Sequence, residues 1–319
     1  MLEVNNSILE ALEQSRNKLS DEAINHIKKY LLTQLHSDGG FVDRAGNQDP
    51  YYSVFGYTLA FVFDLDISIE KQLSFLKKWT VNNEIDFVHA ASLLRFYLLV
   101  LAIQFKSKDG LLAKKLSRSE FFKNQVRNKL VKKVIRENED LLRIIELYRS
   151  KDNGFNHDSK NADKASVYAT FLAWTLYQDL GITNNEVSML ESIIDLRKPE
   201  GYFVNESGSR AGVTTTTAAG LLMTLDQKDQ NTILWLKNMW IKHGGFTATD
   251  GIAIADLLST STTLLALKLA GESMSPYSDK CTEFINLHWD NSGGFFGSVA
   301  DTRPDCEYTY YALLALGLI

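Results

Sequence analysis

A chain of 319 residues, 45% hydrophobic and 23% charged, has the composition of a globular protein with a sizeable core. Its net charge of −5 gives no global electrostatic reason to bind nucleic acid, whose recognition rests on positive surface. Two cysteines, Cys281 and Cys306, are too few for a disulfide framework, no Cys/His cluster suggests zinc, and neither a leader peptide nor a membrane span is expected, so the sequence reads as cytoplasmic.

In chain order, the first clear periodicity runs from Ser20 to Leu35, where Ile24, Ile27, Leu31 and Leu35 repeat at helical spacing behind Ser20 or Asp21 as a cap. It stops at Asp38-Gly39-Gly40-Phe41. After a polar loop, Asp49-Pro50 opens an apolar run from Val54 to Phe63; Asp accepts free amides and Pro needs none. The same grammar recurs at Gly154-Phe155, Gly201-Tyr202-Phe203, Gly244-Gly245-Phe246 and Gly293-Gly294-Phe295. The apolar helices are predicted to start at Asp49, Asp86, Asp163, Ala211, Asp256 and Asp305, a spacing of about 45–50 residues over the last four, which marks a repeat architecture. The second copy lacks the glycines. After it comes a basic helical insertion at about 107–136, containing Lys114, Lys115, Arg118, Phe121, Phe122, Lys123 and Arg127. It reads as a solvated outer helix, or as a docking element for an anionic surface.

Each repeat pairs an amphipathic helix with one that is apolar nearly all round, such as Thr214 to Leu225. A helix apolar on every side must be buried on every side. Six helical hairpins satisfy this with the apolar helices in an inner ring and the amphipathic ones outside, in an all-α single domain spanning 1–319. An open solenoid would need polar capping repeats, whereas this chain ends within an apolar helix, as expected if the last helix closes against the first.

On Gln34 to Phe41, on Trp240 and Trp289 each shortly before a Gly-Gly-Phe, and on the Asp-to-Thr/Ser helix starts, the sequence resembles the α/α toroids of terpenoid cyclases and protein prenyltransferase β subunits. The resemblance covers nearly the whole chain except the first twenty residues and the insertion. It implies an α/α toroid with a central cavity for an apolar isoprenoid-like small molecule, and leaves open whether a second subunit or a homodimer completes the site.

The polar and aromatic residues following each inner-helix start would line the cavity mouth, where helix N-termini also favour anions. The candidates are Tyr51, Tyr52, Tyr57, His89, Arg95, Tyr168, Trp174, Thr214 to Thr217, Ser259 to Thr263, and Tyr308, Tyr310 and Tyr311. Arg44, Arg210 and Arg303, in loops before inner helices, could meet a phosphate. Prenyltransferases hold zinc with an Asp-x-Cys pair and a His. Here Asp305-Cys306-Glu307 does not match, and His89 stands on another repeat, so no metal is expected. Mg²⁺ would enter only with a diphosphate substrate; Asp64-Leu65-Asp66 resembles an acidic pair for it but sits at a helix end and reads as a loop. Proton-initiated terpene cyclases carry Pro-Asp-x-Asp-Asp-Thr, and Pro304-Asp305-Cys306-Glu307-Tyr308-Thr309 keeps the Pro, the first Asp, a central acid and the Thr. The resemblance implies Glu307 as proton donor, Asp305 as its organiser, and the tyrosines as ring faces for a carbocation. The competing reading makes Asp305 an N-cap, Glu307 part of a capping arrangement and the tyrosines core. The leading expectation is a terpene cyclase-like enzyme, and the alternative is a non-catalytic binding or interaction toroid.

Overall fold

Five times along the chain, the N–H of an aromatic residue just after a glycine is accepted by a hydroxyl on the following apolar helix. Ser53 accepts from Phe41, Thr170 from Phe155, Thr217 from Phe203, Thr260 from Phe246 and Thr309 from Phe295, at 2.8 to 3.2 Å. The hydroxyl always stands four residues after the residue preceding the helix: Asp49, Ser166, Val213, Asp256 or Asp305. Each aromatic ring is buried. A buried N–H left unpaired is costly, so this one bond fixes both the loop and the height of the helix beside it. Gly244 and Gly245 hold φ of +99° and +82°, a conformation that side chains other than glycine's rarely adopt.

The computed structural model describes residues 4–108, 120–183, 186–227 and 229–319. Its helices are α1 (Val4–Lys18), α2 (Asp21–Gln34), α3 (Pro50–Val62), α4 (Ile69–Asn82), α5 (Phe87–Lys108), α6 (Glu120–Glu137), α7 (Glu139–Leu147), α8 (Val167–Asp179), α9 (Glu186–Ile194), α10 (Thr214–Met223), α11 (Gln230–Asn238), α12 (Leu257–Leu269), α13 (Ser278–Leu287) and α14 (Cys306–Leu318). A short antiparallel ladder joins Phe246–Thr247 to Ala255–Asp256. Helices α3, α5, α8, α10, α12 and α14 each pack on the next, and α14 returns to α3, closing the inner ring of an α/α toroid. Their uniformly apolar sequences require this. Outer helices such as α2 bury one face only, through Ile27, Tyr30 and Leu31.

Two expected helix starts move. Helix α8 begins at Val167 behind Ser166, whose hydroxyl accepts from Ala169 N–H at 3.2 Å, while Asp163 pairs with Lys151 in solvent. Helix α10 begins at Thr214 rather than near Ala211. It has no side-chain cap, because Thr214 N–H is satisfied by Ala248 carbonyl at 2.9 Å.

Helix α1 extends the architecture beyond the expected hairpins. It lies across the C-terminal ends of three inner helices and supplies donors to them. Arg16 donates to Val62 carbonyl at 2.6 Å, Lys18 to Leu316 carbonyl at 3.0 Å, and Asn5 Nδ2 to both Asp179 carboxylate oxygens at 2.8 and 2.7 Å. Cationic and amide donors belong at helix C-termini, whose last carbonyls lack partners. The approach is close enough that a Cβ on Gly317 would lie 1.7 Å from Ala11 carbonyl oxygen. Helix α1 thereby covers part of one end of the ring.

Helix α5 is long and apolar enough to cross a membrane by composition, but 61% of that stretch is buried inside the protein, as an inner-ring helix requires. Helix α6, from the basic insertion, packs on α5 and α7 and buries Val131 and Val134, so it is not solvated on all sides. Lys114, Lys115 and Arg118, and the side chains of Phe121, Phe122, Lys123 and Arg127, lie outside the described residues.

Candidate functional site

The inner ring encloses a cavity of about 1230 Å³, lined by all six inner helices, by α1 and by Leu130 of α6. Most of its wall is apolar, with Phe55, Leu99, Phe171, Leu222, Leu265 and Leu314 contributed by successive helices. Near the inner-helix N-termini an aromatic cluster forms. Phe55 lies 5.0 Å from Tyr51, 5.2 Å from Tyr310 and 5.6 Å from Tyr311 between ring centres, and Tyr310 and Tyr311 are 5.3 Å apart. Tyr51, Tyr310 and Tyr311, all expected at the cavity, do line it, together with Tyr168.

Glu307 sits in the first turn of α14, half-buried, and accepts a hydrogen bond from Tyr51 Oη at 2.7 Å. Burial raises its carboxyl from 4.5 to about 7; nearby Asp305 and Asp49 add to the rise, and the Tyr51 bond and Arg44 offset part of it. Burial, followed by the neighbouring Tyr311 and Glu307, likewise keeps Tyr51 neutral. Glu307 does not itself line the cavity, and Tyr51 stands between them.

Asp305 is otherwise engaged. One oxygen caps α14 by accepting Tyr308 N–H at 2.8 Å, and the other takes Arg44 Nε at 2.7 Å, with the side chain only 3% exposed. Burial pushes this carboxyl up, while the cap and Arg44 pull it back. Arg44 also pairs with Asp301, donates to Arg303 carbonyl at 2.8 Å and lies 5.4 Å from the centre of the Tyr308 ring. Arg303 donates in return to Arg44 carbonyl. Arg44 and Arg303 therefore join the first repeat to the last. Asp305 serves as cap and ion-pair partner, with no direct bond to Glu307.

The other candidates disperse. His89 lies on the rim between α3 and α5, with Nδ1 3.0 Å from Asp86, Nε2 4.0 Å from Asp49 and its ring against Trp79. Tyr52 is half-buried beside Tyr51, and burial with Asp305 and Glu307 keeps its phenol neutral. Trp174 turns away from the lumen, since its Nε1 donates to Glu186 of outer helix α9 at 2.8 Å. Arg210 is exposed, its carbonyl accepting from Tyr202. Tyr57 is buried, bonding Gly40 N–H at 3.0 Å and contacting Gln72. The hydroxyls of Thr217 and Thr260 hold the loops already described, and only Thr215 and Thr262 of those two runs reach the cavity.

The zinc donor set does not assemble at 305–307. Cys306 is wholly buried, burial holds its thiol well above the usual range, and both Asp305 oxygens are taken. Asp64 is paired with Arg16 at 2.7 Å and Lys106 at 2.6 Å, and these partners hold its carboxyl below the usual range against the effect of burial. Among the described residues, one group has ligating atoms within 4.8 Å of one another: His157, Asp158 and Glu206, where His157 packs on Tyr168. No local spacing marks it, because His157 and Asp158 come from one repeat's loop and Glu206 from another's.

A polar group set deeper in the cavity also emerges. Arg95 of α5 bonds Asp179, the last residue of α8, at 3.3 Å, and it also contacts Thr175 and donates to Leu172 carbonyl. Asp179 is held from the other side by Asn5. Arg95 stood among the inner-helix candidates; Asp179 and Asn5 did not.

Residues 6–90, 115–225 and 214–319 match the family described as the prenyltransferase alpha-alpha toroid domain. No curated protein matches at significance. Among solved structures, the chain is similar to Candida albicans protein geranylgeranyltransferase-I complexed with GGPP, at 13% identity and a TM-score of 0.60, covering 92% of this chain and 90% of that one. It is also similar to the type II terpene cyclase MstE from Scytonema, at 10% identity and a TM-score of 0.57, covering 96% and 97%.

Proposed function

This chain belongs to the prenyltransferase alpha-alpha toroid family, and on that premise we propose that its central cavity binds an elongated, apolar, isoprenoid-like substrate and starts its cyclisation by proton transfer. The observation that carries this reading is Glu307, a carboxyl raised to about 7 and bonded to Tyr51, which faces the cavity. Such a group holds its proton near neutral pH, where an ordinary Glu has lost it. With Glu307 protonated the bond it shares with Tyr51 reverses: the carboxyl O–H donates to Tyr51 oxygen, and the Tyr51 hydroxyl proton turns to the lumen. Glu307 passes its proton to Tyr51 oxygen as that hydroxyl proton moves to an alkene carbon. The alkene's π electrons form the new C–H bond, a cation is left on the substrate, and Glu307 becomes a carboxylate. Tyr310, Tyr311 and Phe55 present ring faces and edges where that cation forms. The similarity to a type II terpene cyclase and to a GGPP-bound transferase supports the substrate class.

One observation favours a second reading, a toroid that binds without converting. Asp305 is spent on its cap and on Arg44, so it makes no direct bond to Glu307 that would organise a proton there. Incubation with polyprenyl diphosphates and squalene-like polyenes, followed by mass analysis of native protein and Glu307→Gln, separates the two. Cyclised product from native protein alone is expected. Product that survives the substitution removes Glu307 from the mechanism, and binding without product selects the second reading.

A further inference from the structure

The Arg95 group gives the ligand a second end. We propose that the deep part of the cavity, on the α1 side, receives a neutral hydrogen-bond-accepting oxygen of the ligand, as in an alcohol, ketone or ether, and that Arg95 is its donor. The inference rests on the isoprenoid-binding reading and specifies what that ligand carries away from Glu307.

Arg95 lines the cavity, yet its side chain is only 16% exposed. Its Nε is directed to Asp179, and its Nη2 to Thr175 and Leu172 carbonyl. Nη1 has no hydrogen-bond partner among the described residues. Guanidinium nitrogens withdrawn from bulk water need acceptors, and the lumen that Arg95 lines is where a ligand could supply one.

Charge selects among acceptors. The cavity wall carries two cations, Arg95 and Lys106, against three carboxylates, Glu13, Asp64 and Asp179. Arg95 is already matched by Asp179, and Lys106 by Asp64. A diphosphate there would face Asp179 with no excess positive charge to hold it, whereas a neutral oxygen accepts from Nη1 without repulsion. Asn5 fixes Asp179 from α1, so the helix that packs across this end of the ring also sets the pair's position.

The test compares three probes of equal chain length: geranylgeraniol, the corresponding hydrocarbon lacking the hydroxyl, and geranylgeranyl diphosphate. Affinities are read by quenching of intrinsic fluorescence. The proteins are native, Arg95→Gln, and Arg95→Gln/Asp179→Asn, the last of which leaves no uncompensated buried charge if the single variant folds poorly. Native protein should bind the alcohol about tenfold or more tighter than the hydrocarbon, and the diphosphate more weakly than the alcohol. Both variants should lose the alcohol's advantage while keeping hydrocarbon affinity within about twofold. Equal binding of alcohol and hydrocarbon by native protein, an alcohol preference that persists in the variants, or an Arg95-dependent preference for the diphosphate overturns the inference and leaves isoprenoid binding intact. Failure of all three probes to bind overturns both.

Discussion

Glu307→Gln should stabilise the protein at alkaline pH and do less at acidic pH. In the folded state Glu307 titrates at about 7, against 4.5 for an unperturbed glutamate. Between these values the folded protein holds a proton that the unfolded chain has released. The stabilising contribution is therefore fully present below about 4.5 and is lost as pH rises through about 7. At about 1.4 kcal/mol per pH unit, the full difference is about 3 kcal/mol by pH 8, and about 2 kcal/mol of it accrues between pH 5.5 and 8. Glutamine carries no charge to desolvate and can still accept from Tyr51, so its stability is free of this term. The gap between variant and native protein should widen by about 2 kcal/mol from pH 5.5 to 8, or about 3 °C in melting temperature for a chain of this length. Urea denaturation and thermal melts at both pH values measure it. Subtracting one protein from the other cancels the titration of every group not coupled to Glu307. A gap that does not change with pH would falsify the raised carboxyl, and with it the capacity of Glu307 to hold a proton at neutral pH. If the protein cyclises a polyene, kcat/KM should fall as pH rises through about 7, as the acid form disappears.

Arg44→Met leaves the nearly buried Asp305 without its cation and should cost about 3–5 kcal/mol in urea denaturation; adding Asp305→Asn, which preserves the cap, should recover much of that loss. Thr260→Val removes the acceptor for the buried Phe246 N–H and should destabilise by about 1–3 kcal/mol, whereas Thr262→Val on the cavity wall should change stability by less than about 1 kcal/mol. Burial pushes the Cys281 thiol up to about 12 and Cys306 well above its usual range. Neither should react with a thiol reagent at pH 8 until denaturant is added, and fast labelling of the native protein would contradict their placement.

The ring was legible because its determinants are local. Each Gly-aromatic turn, most capping positions and each uniformly apolar helix are written in a few consecutive residues, and the hydroxyl that accepts the aromatic N–H stands at a fixed place, four residues after the residue preceding its helix. Legibility failed where local signals competed or were missing. At α8, Asp163 offered the stronger capping residue on paper, but Ser166 is the one positioned against Ala169 N–H. At α10 the capping role passes to Ala248, a distant carbonyl. Helix α1 carries Val4, Ile8 and Leu12 at helical spacing, but its partners are helix ends, which leave no periodic trace. The site was less legible still. Tyr308 and Trp174 share a helix with residues that face the lumen, and a residue or two of rotation decides which way each points, while Arg210 stands in a loop that does not reach the cavity. The pairing of Glu307 with Tyr51, and of Arg95 with Asp179, joins repeats far apart in sequence and exists only once the ring has closed.

The seam between α14 and α3 is held at one end by Arg44 with Asp305, 261 residues apart, and at the other by Lys18 with Leu316 carbonyl, 298 apart. Contacts of such separation carry the largest loop-closure entropy in the chain, while neighbouring hairpins can assemble from partners nearby. The seam is therefore expected to form after the neighbouring hairpins. Weakening it should leave the refolding rate nearly unchanged and accelerate unfolding, so the seam sets the lifetime of the closed ring more than the speed of its formation.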